Sequence, residues 1–408
     1  MEIGHYDAGR DAEAVQRIWR EVGWIDAERA KIVSRYFECG DAWVFRLHDE
    51  AECAVHTTAG AMRYGTEDLE LAAVTAVTTS RVARKLGAAG RLTARSLAAQ
   101  AAAGAEVAAL GMFEQGFYDR VGFGSGSYEH YFVFDPASLN VDRGFRPPRR
   151  LTTADWADVH ACMLRRRRGH GGCTLAPPRV VECEMAWTDD AFGLGYRDAA
   201  DGGLSHFIWG EAPGEHGPYE INWIGYETVD QLMELLALIR GLGDQVSSVA
   251  MLEPPDIQLQ DVLAQPFRHR RNTERGKFAN RHETMAQWQL RILDLPKCLA
   301  KTRLPGPEFR FNLKLTDPVT EHLDGDNEWS GTGGDYVVTL GEDSSAEAGS
   351  SARLPALHAS VGAFSRMWSG VRSASVLSAT DDLRADPGLL RALDEKVRLP
   401  QPRPGWDF

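Results

Sequence analysis

Three short segments carry residue types whose spacing could do chemistry. Residues 74–90 read VTAVTTSRVARKLGAAG. A β-branched run ends at Val77, Thr78 and Thr79, a basic loop passes through Arg84, Lys85 and Leu86, and Gly87, Ala88 and Ala89 open a helix. The first turn of a helix has N–H groups without intrahelical acceptors at the positive end of the helix dipole, and together these attract a phosphate. Gly87, Ala88 and Ala89 let the backbone approach an anion closely, and Arg84 and Lys85 add charge, so the segment is expected to cradle a pyrophosphate. It is neither a Walker loop, which needs G-x-x-x-x-G-K-[ST], nor a G-x-G-x-x-G dinucleotide fingerprint. Residues 106–124, EVAALGMFEQGFYDRVGFG, put Tyr118 in a turn closed by glycines. The last ten residues, LPQPRPGWDF, set Trp406 and Phe408 around Asp407 after proline-stiffened chain, as in a tail docked in an apolar crevice with its α-carboxylate held. A tyrosine in such a place is otherwise an ordinary core residue, and a terminal aromatic an ordinary frayed end.

The spacing Arg84-x-x-Gly87-x-Ala89 resembles the R/Q-x-x-G-x-G/A motif of the GNAT superfamily of N-acetyltransferases. The string Y-x-R-x-G-[FY]-G, here Tyr118, Arg120, Gly122, Phe123 and Gly124, is similar to the end of the acetyltransferase core in the enhanced-intracellular-survival (Eis) family. The resemblance spans nearly the whole chain. It implies acetyl-CoA as co-substrate, with the phosphates on the 84–89 turn and the pantetheine and acetyl group along Val77, Thr78 and Thr79, and it implies no metal. It further implies direct transfer to a primary amine, such as an aminoglycoside, a polyamine or a lysine-like acceptor. Tyr118 would protonate the departing thiolate, and the Phe408 carboxylate would act as base. A phenol near ~10 hands its proton to a thiolate near ~8.5 only if it is positioned to do so. A carboxylate near ~3.5 suits the zwitterionic tetrahedral intermediate, or a water relay, better than a free ammonium near ~10.4.

Trp24, Asp26, Tyr36 and Asp407 are candidates for binding the acceptor, since aromatics with an acid suit an amine; ordinary helix packing explains the aromatic residues equally well. Two departures from the family leave the acceptor open: Met112 and Phe113 follow Gly111 where many relatives carry small polar residues, and Ala76 stands where an aromatic often lines the acceptor pocket. The rival reading is a non-catalytic protein that binds an apolar ligand or regulates, with a vestigial transferase core.

These segments need elements to position them. Val15, Ile18, Trp19 and Val22 recur at helical spacing, and Asp26 is placed to cap a second helix with Ala30, Val33, Tyr36 and Phe37 on one face. Strand-like runs follow at AWVFRLH, ECAVHTTAGAMRYG and LELAAVTAVTTS, then a helix at 87–103, a strand at EVAALGMF and a last strand at SYEHYFVF. VDRGFRPPRR reads as a linker, and the middle third partly repeats the first. The expected fold is α/β: two tandem GNAT-type mixed-sheet domains, 1–145 and 146–287, the second without a cofactor motif. An α+β domain, 288–408, resembles sterol carrier protein.

At roughly 150 residues per domain, 408 residues allow two or three. With 45 Lys+Arg against 58 Asp+Glu the net charge is -13, which argues against nucleic-acid and anionic-membrane partners and suits a cationic small amine substrate. No apolar run approaches the ~18 residues of a membrane span and the start lacks a signal-like pattern, so a cytoplasmic location is expected. Six cysteines form no C-x-x-C pair, and His160, Cys162, His170 and Cys173 fit no common metal spacing. Arg165, Arg166, Arg167 and Arg168 are expected to end a helix in solvent, and Arg268, His269, Arg270 and Arg271 to face solvent or a neighbouring subunit. A homo-oligomer is expected, a hexamer by the resemblance.

Overall fold

The computed structural model of the protein describes residues 2–266, 275–323 and 327–408, so Arg268, His269, Arg270 and Arg271 lie outside the described residues. The β-branched and small residues of the first third build a mixed sheet. Strands β1 (Glu2–His5), β2 (Asp41–Leu47), β3 (Glu50–Tyr64) and β4 (Glu67–Thr79) pair in antiparallel succession, β5 (Val107–Gly111) runs parallel to β4, and β6 (Gly124–Ser125) ends the sheet. Helix α1 (Ala8–Val22) starts on Asp7, whose carboxylate accepts the Arg10 N–H, and stops on Gly23 at φ 82°. It buries Val15, Ile18 and Trp19, as the spacing requires. Helix α2 (Ala30–Phe37) buries Ala30, Val33, Tyr36 and Phe37. Asp26 does not cap it: the Asp26 carboxylate accepts the N–H of Arg29, the residue before the helix. Helix α3 (Ala88–Ala102) connects β4 to β5.

One expected strand goes elsewhere. Glu129–Phe134, expected to end the first domain, pairs with Val249–Leu252 and Arg281–Met285 in a second sheet. Between β5 and β6 the first sheet instead takes Trp288–Ile292, all five residues buried, while Cys173–Leu175 pairs with β3. Both segments are short apolar strand formers, and periodicity says that a strand forms without saying which edge it joins. The compact units therefore do not follow cuts at 145/146 and 287/288. One comprises Met1–Ser127, Gly169–Pro177 and Ala286–Phe408, the other Tyr128–Arg168 and Pro178–Met285.

Within the second unit, the seven strands among the described residues include one parallel pair, Tyr219–Gly225 with Val249–Leu252, joined through helix Val229–Gly241 with a Thr228/Gln231 capping box. This repeats the β4–α3–β5 arrangement without its glycine-bearing turn. The expected linker is fixed in place: Arg146 donates to Glu234 (2.8 Å) and Asp198 (2.6 Å). The arginines from 165 onward are not simply solvated, because Arg165 pairs with Glu227, Arg167 with Asp256, and Arg166 is buried with its guanidinium on the Met163 carbonyl.

The chain after Ala286 adds a five-stranded sheet centred on Phe309–Thr316. Its helix Val361–Trp368 packs on Trp288–Ile292, where the Ile292 N–H donates to Ser365 Oγ (2.9 Å). No helix among the described residues is long and apolar enough to cross a membrane.

Candidate active site

Strands β4 and β5 pair in parallel from Leu71 opposite Val107 to Val74 opposite Leu110; there pairing stops, although β4 continues to Thr79. The cause lies in β4. Against β3, Thr57 faces Val74 and His56 faces Ala76, so Thr75 is an extra residue, a bulge that bends the strand. Beyond it the Ser80 N–H donates to the Glu52 carbonyl (2.9 Å), which sets the alternation of the antiparallel bonds. Ala76, Thr78 and Ser80 bond to β3, whereas the N–H and C=O of Val77 and Thr79 turn to the side that β5 has left. The result is a V-shaped opening with an unpaired strand edge on one arm, able to accept an extended amide chain as an added strand.

At the end of that edge the chain turns. The Arg81 N–H donates to Glu21 on α1 (3.1 Å), Ser80 Oγ accepts from the Ala83 N–H (3.3 Å), and Lys85 (φ 66°) and Gly87 (φ 73°) both take the left-handed conformation before α3 begins. Arg84, Lys85, Leu86 and Gly87 are exposed, and α3 has no side-chain cap, so its first N–H groups face outward with two cations beside them. A Cβ placed on Gly87 would meet nothing within 4 Å. These residues fit a pyrophosphate.

Tyr118 opens a single 3-10 turn, Tyr118–Val121, which Gly122 closes at φ 84°. Its ring is 2% exposed and packs edge-on against Phe117 (4.9 Å) and Phe123 (6.2 Å), in one cluster with Cys53, Ala83 and Ala88. Burial pushes its phenol above the ordinary range, so the proton leaves this oxygen less readily than from an exposed tyrosine. The turn is held by strand Trp288–Ile292: Gln289 Nε2 donates to Asp119 Oδ1 (2.8 Å), and the fully buried Arg291 donates to the Val121 carbonyl and to Asp317 (2.6 Å).

The terminal tail is docked. Ser127 Oγ donates to the Pro402 carbonyl, the Arg403 N–H to the His170 carbonyl (2.9 Å) and the Cys173 N–H to the Pro404 carbonyl (2.8 Å), and Trp406 is buried. His170 and Cys173 thus belong to the tail's dock. The tail ends at β5, where a Cβ built on Gly111 would stand 2.5 Å from the Phe408 O and 3.4 Å from its carboxyl carbon. The terminal carboxylate therefore lies against the last residue of β5, where the V opens.

Residues 10–126 match the family of acetyltransferase (GNAT) domains. The protein is an N-acetyltransferase. An uncharacterized N-acetyltransferase of Streptomyces avermitilis is 26% identical over 335 residues, 76% of this chain and 74% of the relative. Among solved structures, a conserved protein of unknown function from Enterococcus faecalis superposes with a TM-score of 0.79 at 17% identity, over 100% of this chain and 99% of that one. Eis1 from Mycobacterium abscessus superposes at 0.75 and 16%, over 100% of both. These likenesses establish the fold of the acetyltransferase: α/β, with several mixed sheets.

Of the acceptor candidates, Trp24 is 51% exposed and edge-on to Trp19 (5.1 Å), and Asp407 is exposed. Asp26 is exposed but engaged with the Arg29 amide. Tyr36 is buried, its ring 4.7 Å from that of His56, so it packs the core and offers no open face. Sequence reasoning missed Thr75 and His56. Thr75 is the bulge itself, and its Oγ1 lies 2.7 Å from His56 Nδ1. A lone histidine in a β-branched run carries no signal of this pairing, because the bulge that joins the two residues is a matter of register.

Proposed function

We propose that the acetyltransferase moves the acetyl group of acetyl-CoA directly to a primary amine, of the aminoglycoside, polyamine or lysine type. The observation that carries this is the Phe408 carboxylate seated against Gly111. It sets a base at the mouth of the opening, and Tyr118 sets an acid on the turn after β5. When bound, acetyl-CoA supplies the activated acyl group. The N–H groups at the start of α3, with Arg84 and Lys85, hold its phosphates, and the free edge at Val77 and Thr79, on either side of Thr78, holds its amides. Strand N–H groups polarise the thioester carbonyl, the Phe408 carboxylate takes the proton from the attacking nitrogen, and Tyr118 gives one to the sulfur.

Appending three residues after Phe408 tests this. The carboxylate moves while the phosphate turn is untouched, so turnover should collapse with acetyl-CoA binding retained; a tagged chain of full activity refutes it. The same reading includes acceptor contacts at Trp24, Asp26 and Asp407, a C-terminal domain of the sterol-carrier-protein kind that supplies the terminal carboxylate, six subunits and a cytoplasmic location. Light scattering of the purified chain reads the subunit number.

A further inference from the structure

Thr75 stands where β4 and β5 part. Val74 faces Leu110 in the last rung of the parallel ladder, so Thr75 and Gly111 are the first residues of the two strands beyond it. Gly111 is the residue against which the Phe408 carboxylate lies. Thr75 thus begins one arm of the opening, and Gly111, with the base against it, begins the other. As the bulged residue it has no register partner on β3, and it is half-buried.

Its hydroxyl is oriented from behind. His56 is fully buried between the rings of Tyr36 (4.7 Å) and Phe37 (5.4 Å) and beside Gly40, where an added Cβ would stand 2.8 Å from Nε2. Burial lowers its pKa to about 3, so the ring is neutral and only one nitrogen bears hydrogen. Nε2 has no hydrogen-bond partner among the described residues. A buried N–H left without an acceptor is less tolerable than a bare lone pair, so the hydrogen resides on Nδ1 and is donated to Thr75 Oγ1 (2.7 Å). The Thr75 O–H is then directed away from His56 and can donate to another acceptor.

We propose that the Thr75 hydroxyl is a catalytic hydrogen-bond donor to the oxyanion formed during acetyl transfer, with His56 the positioning residue that aims it. This rests on the acetyl-transfer reading. The amine lone pair forms the N–C bond while the C=O π pair moves to oxygen, where the Thr75 O–H and a β4 amide stabilise it. Collapse restores C=O and breaks C–S; the proton from nitrogen goes to the Phe408 carboxylate, and sulfur receives one from Tyr118. Thr75 itself makes and breaks no covalent bond.

The experiment uses the full chain, acetyl-CoA and whichever of kanamycin, spermidine, tyramine or Nα-acetyl-lysine the parent acetylates fastest. Thr75→Val keeps the shape and deletes the donor; kcat should fall about 10²-fold, with KM for the amine and the calorimetric Kd for acetyl-CoA within about threefold of the parent. Thr75→Ser, which restores the hydroxyl, should recover to within about fivefold, and His56→Phe should lower kcat about tenfold in the parent yet have no further effect in Thr75→Val. Parental kcat in Thr75→Val, or a serine variant as slow as the valine one, overturns the proposal and leaves the acetyl-transfer reading intact. A parent that fails to bind acetyl-CoA, or binds it and acetylates none of the four amines, overturns that reading and this proposal with it.

Discussion

Gly111→Ala adds one methyl group between β5 and the tail, and its effect follows from the geometry. The new Cβ would stand 2.5 Å from the Phe408 O, 3.4 Å from its carboxyl carbon and 3.5 Å from its Cβ, whereas real Cβ atoms do not come closer than 3.0 Å. An ordinary contact of 3.4 Å sends the oxygen back by about 0.9 Å. A displacement of about 1 Å in a reacting constellation lowers the rate by about 10²-fold, or about 2.7 kcal/mol of transition-state stabilisation. Gly111 does not take a left-handed backbone, so alanine suits its strand and the fold should survive. Steady-state kcat on the chosen amine should therefore fall about 10²-fold, while the acetyl-CoA Kd, set on β4 and the 84–89 turn, moves less than about threefold. In a chain that lacks Phe408 the same substitution should add nothing, because the base is already gone. A Gly111→Ala enzyme at parental kcat, or one that loses equally in both backgrounds, would refute a base at this position.

Tyr118→Phe keeps the ring contacts and deletes the hydroxyl, so kcat should drop about 10²-fold or more with acetyl-CoA binding unchanged; undiminished single-turnover rates would return Tyr118 to the core. Gly87→Val forces a β-branched residue to φ 73°, a strain of about 1–2 kcal/mol, so the acetyl-CoA Kd should weaken about tenfold by calorimetry while the melting curve stays cooperative; parental affinity would remove the phosphates from this turn. His56, neutral with its pKa lowered to about 3, refuses a proton that the unfolded chain accepts below ~6.5. Its share of stability is therefore intact above ~6.5 and is lost as pH falls toward 3, by up to ~1.4 kcal/mol per pH unit. Urea unfolding of the parent should steepen over that window relative to His56→Phe, and parallel profiles would contradict a buried neutral ring.

Much of the first sheet was legible because its signals are local. The α1 stripe of Val15, Ile18 and Trp19, the β-branched β3 and β4, and the glycine after a basic loop each depend on a few neighbouring residues, and so does the turn that presents Tyr118. By itself the sequence also marked LPQPRPGWDF as a proline-stiffened segment with aromatic residues at Trp406 and Phe408. It could not say where Glu129–Phe134 and Trp288–Ile292 would pair, because two apolar strands of similar length satisfy one sheet edge equally. That choice brings Gln289 to Asp119 and Arg291 to Val121, and so fixes the turn of Tyr118. Tertiary structure likewise decided that Gly111 meets Phe408 across 297 positions of chain and that Thr75 leaves the β3 ladder to meet His56. Helix and strand propensity act over a few bonds, whereas register, bulges and the seat of a tail are set by which distant surfaces exclude water together.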